Sequence, residues 1–234
     1  MLSALLLKKK ITSTIPFLGE VTSANFIDGV SLASAIGLSI GTAINTATNW
    51  LKFSYNGKTL YVPKLPVRQG VSWTSIYNAK AVYGSGGTGD PIPSGQSAVA
   101  QTAQVTIASH IYKVRLLQGF LANPVPGPVN GTDTAATVGS EWNNLFYPIV
   151  TDSHITTYSG SKIASPYALI DLGFDASLTG YNEWVANVLS GSGYTTTAGI
   201  RGNTSTIANC AQQTYTSGGG TAAYGWRPCL EFVS

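Results

Sequence analysis

The stretch WLKFSYNGKTLYVP, residues 50–63, carries the strongest fold signal in the chain. Asn56-Gly57 supplies the two positive φ angles that a two-residue type I′ turn requires, and apolar residues alternate with polar ones on both sides of it. Pairing Tyr55 with Lys58 sets the register of a β-hairpin. That register places four apolar side chains on one face, toward a core: Leu51, Phe53, Leu60 and Val62.

A second, weaker hairpin is predicted farther along the chain. The stretch VTIASHIYKVRLLQG has two apolar runs that flank Ala108-Ser109. His110 falls inside the second run, and no acidic residue accompanies it locally. We therefore interpret His110 as a strand residue rather than a catalytic base.

Two short core helices are predicted from capping residues. In SWTSIYNAKAVYG, Ser72 is the N-cap of a helix that Gly84 ends, and in SEWNNLFYPIV, Ser140 caps a helix that ends at Pro148. The stretch YNEWVANVL, residues 181–189, has apolar residues at helical spacing, but its flanking glycines also allow a strand. A helix and a strand are therefore both kept as predictions for this stretch.

The remaining segments are predicted to be long loops rich in small polar residues. They are Tyr83–Gln104, Asn123–Gly139 and Gly191–Ala223. Such ordered loops usually recognise another molecule or pack on a neighbour. The first 49 residues are predicted to form an extended arm for attachment or assembly, because their apolar content is too small for a core, and residues 50–234 a single domain.

The charge content excludes several classes of function. Only 10% of the residues are charged, against about 25% in an average soluble protein. The net charge of +3 includes three adjacent lysines at 8–10, so no basic stripe suited to nucleic acid exists. The stretch between Asp28 and Lys52 has no charged residue and is about as long as a membrane-spanning helix. Its many Ser, Thr and Asn residues make it too polar to cross a membrane. Because Leu2–Leu7 precede the lysines and form too short an apolar run, we also predict no cleaved secretory signal.

The sequence offers little material for catalysis or metal binding. It has two histidines and ten carboxylates, with no Gly-x-Ser-x-Gly, Walker or dinucleotide pattern. Asp171 and Asp175 form the closest acidic pair, which we interpret as two solvated carboxylates. Cys210 and Cys229 lack Cys-x-x-Cys spacing, and a disulfide and two buried thiols both stay open. We predict no catalytic residue, no cofactor and no metal site.

Five phrases, taken in order, give the chain a family resemblance. They are LASAIGLSIGTAINTATNWLKFSYNGKTLYVPKLPVR, SWTSIYNAKAVYG, YKVRLLQG, SEWNNLFYPI and YGWRPCLEF, and they cover residues 32–234 with gaps. In this order they resemble the virion structural and tail-fibre-like proteins of tailed bacteriophages. Each phrase alone has little specificity, whereas their joint occurrence is specific.

The second half is also similar to the C-type-lectin-like fold of formylglycine-generating enzymes and of related phage receptor-binding tips. Asn182-Glu183-Trp184, Arg201-Gly202-Asn203 and Gly225-Trp226-Arg227 match a Trp-rich turn, an Arg-Gly-Gly-Ser segment and a closing strand of that family. The paired cysteines of the enzymes and the Glu-Pro-Asn or Gln-Pro-Asp of calcium-dependent lectins are absent. The resemblance therefore implies the scaffold without the family's chemistry.

This resemblance implies an α+β, C-type-lectin-like domain with short antiparallel hairpins, two short helices and long loops, preceded by the arm. It implies a closing strand in which Trp226, Leu230 and Phe232 face the core, with Arg227 held by buried carbonyls or a carboxylate. The predicted structural core comprises Trp50, Trp73, Trp142, Trp184, Arg201, Trp226 and Arg227.

The function implied is that of a non-enzymatic structural component of a tailed-phage virion, in the tail, collar, fibre or decoration, anchored by its arm. The expected partners are other virion proteins and copies of the chain itself, and the expected location is the virion, assembled in the host cytoplasm. The alternative is a module that binds a host receptor, either a glycan or a protein. Its candidate contact residues are Tyr194, Tyr215 and Tyr224.

Overall fold

Two β-sheets dominate the computed structural model, which describes residues 15–89, 92, 95–175, 178, 180–203, 206–216 and 223–234. The strands are β1 (Phe17–Val21), β2 (Thr42–Ala43), β3 (Trp50–Tyr55), β4 (Lys58–Pro63), β5 (Arg68–Gln69), β6 (Gln104–Ile107), β7 (His110–Arg115), β8 (Val125–Pro126), β9 (Gly131–Thr132), β10 (Asn182–Ser190), β11 (Thr197–Asn203), β12 (Thr206–Thr214), β13 (Tyr224–Trp226) and β14 (Cys229–Phe232). The helices are α1 (Gly29–Ala35), α2 (Trp73–Asn78) and α3 (Glu141–Phe146), with single 3₁₀ turns at Ser23–Asn25, Tyr147–Ile149 and Ile170–Leu172. The described part is thus mostly β-sheet with three short α-helices, in agreement with the predicted α+β class.

The first sheet is antiparallel and contains both predicted hairpins. Its strand order is β1-β3-β4-β14-β7-β6. In the β3–β4 hairpin Tyr55 pairs with Lys58, and the turn residues Asn56 and Gly57 have φ angles of 49° and 75°. The β6–β7 turn at residues 108–109 also has two positive φ angles. Both predictions are confirmed.

The second sheet is mixed and has β10 near its middle. Its order is β2-β5-β13-β10-β11-β12-β9, and β8 pairs with β10 outside this path. The strand β10 runs parallel to β13 and antiparallel to β11. Its residues from Glu183 to Leu189 are all buried, so the stretch lacks polar alternation and the sequence could not distinguish strand from helix.

The prediction of a loop at Gly191–Ala223 is wrong in its central part. This part forms the β11–β12 hairpin, which pairs from Thr197 and Thr214 to Asn203 and Thr206 with one register shift after Arg201. Small residues are needed there for close packing, because a Cβ added at Gly199 would lie 2.3 Å from the ring of Phe120. The same small residues hide the apolar pattern by which a strand is recognised.

The predicted closing strand is two strands in different sheets. Strand β13 pairs with β5 and β10 in the second sheet, and β14 lies between β4 and β7 in the first. Pro228, which has no amide hydrogen for a ladder, stands between them. Trp226 and Leu230 are buried as predicted, whereas Phe232 is 39% exposed.

The caps of the two predicted helices are confirmed, and one predicted end is not. The Ser72 hydroxyl accepts a hydrogen bond from the Ser75 amide at 3.1 Å, and that of Ser140 accepts one from the Asn143 amide at 3.3 Å. Helix α2 ends at Asn78, well before Gly84, because the chain turns at residue 80 with a φ of 64°.

The N-terminal segment is part of the domain from residue 17 onward, which corrects the predicted arm of residues 1–49. Strand β1 pairs with β3 along the edge of the first sheet. Leu32 and Leu38 of the α1 region are buried, and the Trp50 indole donates a hydrogen bond to the Ile27 carbonyl at 2.7 Å. The apolar side chains of this segment are too few for a core of their own, but they complete that of the domain. Residues 1–14 of the predicted arm lie outside the described residues.

The core has two parts, one on each face of the first sheet. Trp50, Val114 and Leu230 belong to one cluster of buried side chains, and their neighbours Leu51 and Cys229 belong to the other. Since successive strand residues point to opposite faces, this sheet is covered on both sides. Across the described ranges, no helix is long and apolar enough to cross a membrane.

Candidate functional site

Arg227 lies at the junction of the two sheets and is enclosed by acceptors. Its Nε donates to Oε2 of Glu183 at 2.6 Å. Its Nη1 donates to the carbonyls of Pro63 at 2.8 Å and Lys64 at 2.6 Å, and Nη2 donates to the Leu172 carbonyl. The prediction that buried carbonyls or a carboxylate hold Arg227 is confirmed, since both do.

The pairing of Arg227 with Glu183 takes place without solvent. Both side chains are at most 2% exposed, and Oε1 of Glu183 has no hydrogen-bond partner among the described residues. Burial raises the pKa of Glu183 to about 7, although the charge and hydrogen bond of Arg227 act to lower it. The rings of Phe174 and Phe146 lie 4.9 Å and 5.4 Å from the guanidinium and cover it.

Arg201 forms a second enclosed centre, where it joins parts of the chain that are far apart in sequence. It donates to the carbonyls of Gly119 at 2.6 Å and Asn209 at 3.2 Å. It also donates to Oδ1 of Asn143 at 2.8 Å and to the Tyr147 hydroxyl at 3.2 Å. Complete burial lowers the pKa of Arg201, so these polar contacts replace the water that the cation has lost.

The hydrogen-bond network of Arg201 continues through Tyr147 to Asp133. The Tyr147 hydroxyl accepts from Arg201 and donates to Oδ1 of Asp133 at 2.9 Å. Burial acts to raise the pKa of Asp133, but hydrogen bonds from Thr157 and Thr156 outweigh it, so the pKa lies below its ordinary value. A buried carboxylate thus faces the buried guanidinium through one phenol.

All five tryptophans are buried, and four of them tie separate segments together. Each is at most 1% exposed, and four indole N–H groups donate to backbone carbonyls of distant segments. These pairs are Trp50 to Ile27, Trp73 to Val185, Trp142 to Ile207 and Trp184 to Val71. The predicted core set of five tryptophans, Arg201 and Arg227 therefore lies inside the protein, and Trp184, Arg201 and Arg227 do not face an open cleft.

The three tyrosines proposed for receptor contact do not form a common exposed surface. Tyr215 is only 2% exposed and its ring stacks on that of Trp73, with centroids 4.9 Å apart. Tyr224 is half-buried and stacks on Trp184 at 5.4 Å, and Tyr194 is half-buried. Tyr215 cannot touch a receptor from this position, which removes it from the predicted set.

The remaining candidate groups are two cysteines and the acidic residue Asp171. Cys210 and Cys229 are free and buried, and burial raises the pKa of Cys229 to about 12. Asp171 is exposed and accepts a hydrogen bond from the Ala168 amide, as expected of a solvated carboxylate. Within the described ranges, no three His, Cys, Asp or Glu side chains lie close enough together to hold a metal ion.

Sequence reasoning missed the acceptors that serve the two arginines. Glu183 stands in a run of buried residues, and a charge in such a run signals a buried partner. Asp133 and Tyr147 give no such signal, because they belong to a loop and to a short 3₁₀ turn. Their partners come from other segments and are brought together only by the fold.

Comparison with known proteins gave no match. No family model, curated protein or solved structure is similar to the chain. Its function must therefore be inferred from its own residues.

Proposed function

We propose that the chain is a non-enzymatic structural component of a tailed-bacteriophage virion, built on a C-type-lectin-like scaffold. The observation that carries the proposal is that Arg201 and Arg227 are both buried and hydrogen-bonded within the protein. Each hydrogen bond of these two guanidinium groups ties one segment of the chain to another.

The contacts of Arg227 support a structural role. They join Pro63 and Lys64 at the end of β4 to Leu172 in a 3₁₀ turn and to Glu183 in β10. A guanidinium that is 2% exposed and satisfied in this way has no donor directed toward solvent. It stabilises the junction of the sheets, and its loss would leave several carbonyls and a carboxylate without partners.

The surface composition supports assembly into a particle. The low charge content and the many Gly, Ser and Thr residues give a polar surface with few charges to desolvate when subunits meet. We propose that the partners are other virion proteins and copies of the chain, and that the location is the virion.

The test is to find the chain in purified particles of the phage that encodes it. An antibody raised against the recombinant chain should label gradient-purified virions at one fixed position in immuno-electron microscopy. Antibody absorbed with the recombinant chain is the control. A chain that is abundant in infected-cell lysate and absent from purified virions would contradict the proposal.

A variant pair tests the role of the buried arginine in the particle. Arg227→Ala should lower the number of copies per virion, because the subunit loses its inter-sheet tie. Lys52→Ala, at a half-buried cation elsewhere on the first sheet, should leave the copy number unchanged. Equal incorporation of both variants would show that the Arg227 contacts are not needed for the subunit.

A further inference from the structure

A cavity of about 390 Å³ lies beside the β3–β4 turn, away from Arg201 and Arg227. Its floor is one face of the first sheet. The floor residues are Tyr55, Lys58, Lys113, Arg115 and Glu231. Segments 83–85 and 116–118, the start of α3 and Ala186 of β10 form its walls. The cavity is thus a depression between the first sheet and four other parts of the chain.

Arg115 fixes the charged groups of this cavity. Its Nη1 and Nη2 donate to the two oxygens of Glu141 at 2.8 Å and 2.7 Å, a bidentate pair, and Nε donates to Glu231 at 3.1 Å. The other oxygen of Glu231 lies 2.8 Å from Nζ of Lys58. Both carboxylates are 8% exposed, and each is neutralised by the cations beside it.

Lys113 is the one cation of the cavity lining that takes no part in these salt bridges. It is half-buried in β7, opposite Glu231 in the strand register, yet it forms no ion pair with any residue of the described ranges. Three cations and two carboxylates line the cavity, so its net charge is positive. An anionic group of a ligand can approach Lys113 without displacing an existing salt bridge.

The rest of the lining offers neutral hydrogen-bonding groups. Asn56, Ser85 and Gln118 are exposed, and their side chains can donate to or accept from hydroxyl groups. The ring of Tyr55 adds an aromatic surface on the same floor. A ligand that satisfies both parts of this lining carries one negative charge and several hydroxyl groups, and it is small enough for the cavity.

We propose that this cavity binds a small polyhydroxylated carboxylate of the size of an acidic monosaccharide, with its carboxylate at Lys113. Its hydroxyl groups meet Asn56, Ser85 and Gln118. The Arg115–Glu141–Glu231 network holds the floor in shape and does not itself exchange ions with the ligand. The proposal is independent of the virion assignment and of the tyrosines of the second sheet.

The test is a titration of the ¹⁵N-labelled chain followed by amide chemical shifts, with D-glucuronate, D-glucose, acetate and phosphate as probes. Glucuronate should shift the amides around residues 56, 85, 113 and 118 with a Kd of about 1 mM, and the other three probes should bind at least about tenfold more weakly. Acetate or phosphate binding as tightly as glucuronate would overturn the role of the hydroxyl groups. Equal binding of glucose would overturn the role of the charge, and an absence of shifts at about 10 mM glucuronate would overturn the site itself.

Two variants and a control locate the ligand. Lys113→Gln should weaken glucuronate binding about tenfold or more, the usual effect of losing a hydrogen bond to a charged group, and should leave glucose binding unchanged. Ser85→Tyr, in an exposed loop, should block glucuronate by filling the cavity. Lys52→Gln, equally half-buried on the same sheet but outside the cavity, should bind as the unmodified chain does. Unchanged glucuronate binding by Lys113→Gln, with a native amide spectrum, would place the ligand elsewhere.

Discussion

Glu183 should make the folded chain less stable as the pH rises. Burial raises its pKa to about 7 in the folded state, against the effect of Arg227, whereas the ordinary value is 4.5. Between these two pH values Glu183 holds a proton in the folded chain and releases it in the unfolded chain. The stabilisation that comes from this bound proton is therefore complete below pH 4.5 and is lost as the pH rises through 7. Since one pKa unit corresponds to about 1.4 kcal/mol, the loss is about 3 kcal/mol.

The physical reason is that Arg227 has several hydrogen-bond partners inside the protein, whereas Glu183 has one. Arg227 keeps three carbonyl acceptors and two ring faces whether or not Glu183 is charged. The carboxylate has only Arg227, because its second oxygen is buried without a hydrogen-bond partner in the described structure. Protonation removes the cost of that unsolvated charge while the arginine stays solvated by the protein.

The assay is urea unfolding followed by tryptophan fluorescence at several pH values between 4.5 and 8, for the unmodified chain and for Glu183→Gln. The free energy of unfolding of the chain minus that of the variant should fall by about 3 kcal/mol across this range, because all other titrating groups cancel. A Glu183→Gln difference that is flat, or that grows with pH, would refute the reasoning, since it would mean that Arg227 outweighs desolvation.

Three further predictions concern packing, a turn and the thiols. Tyr215→Ala should lower the free energy of unfolding, measured by urea unfolding, by about 3 kcal/mol, because it leaves a cavity beside Trp73. Tyr215→Phe should not lower it, because the buried hydroxyl has no hydrogen-bond partner among the described residues. Equal losses in the two variants would contradict this account. Gly57→Ala should cost about 1 kcal/mol by the same assay, since its φ of 75° is strained for alanine although nothing lies within 4 Å of the added methyl; an unchanged stability would show that the turn relaxes. Cys210 and Cys229 should react with a thiol reagent slowly in the native chain and rapidly in urea. Both thiols are buried, and burial raises the pKa of each. Rapid labelling of the native chain would show that the core opens readily.

The sequence predicted those parts of the fold whose cause is local. The β3–β4 turn follows from two adjacent residues, Asn56 and Gly57, that accept positive φ angles. The starts of α2 and α3 follow from one serine each, whose hydroxyl satisfies a backbone amide three residues later. Such signals act within a few residues and do not depend on the rest of the molecule.

The parts that were missed depend on contacts between distant segments. Gly199 of β11 has no side chain because the ring of Phe120 approaches its backbone closely, and Phe120 lies in another part of the chain. The pairing of Glu183 with Arg227 and the path from Arg201 to Asp133 likewise exist only after folding. Residues 17–49 resemble an arm for the same reason, since the partners of their few apolar side chains come later in the sequence.

The position of β14 determines when the first sheet can form during synthesis. A ribosome adds this strand long after β4 and β7, yet it lies between them in the sheet. A nascent chain that lacks residues 229–232 has two half-sheets with open edges and no strand to join them. Translation must therefore pass these residues before the sheet closes, and until then the open edges need protection from pairing with other nascent chains.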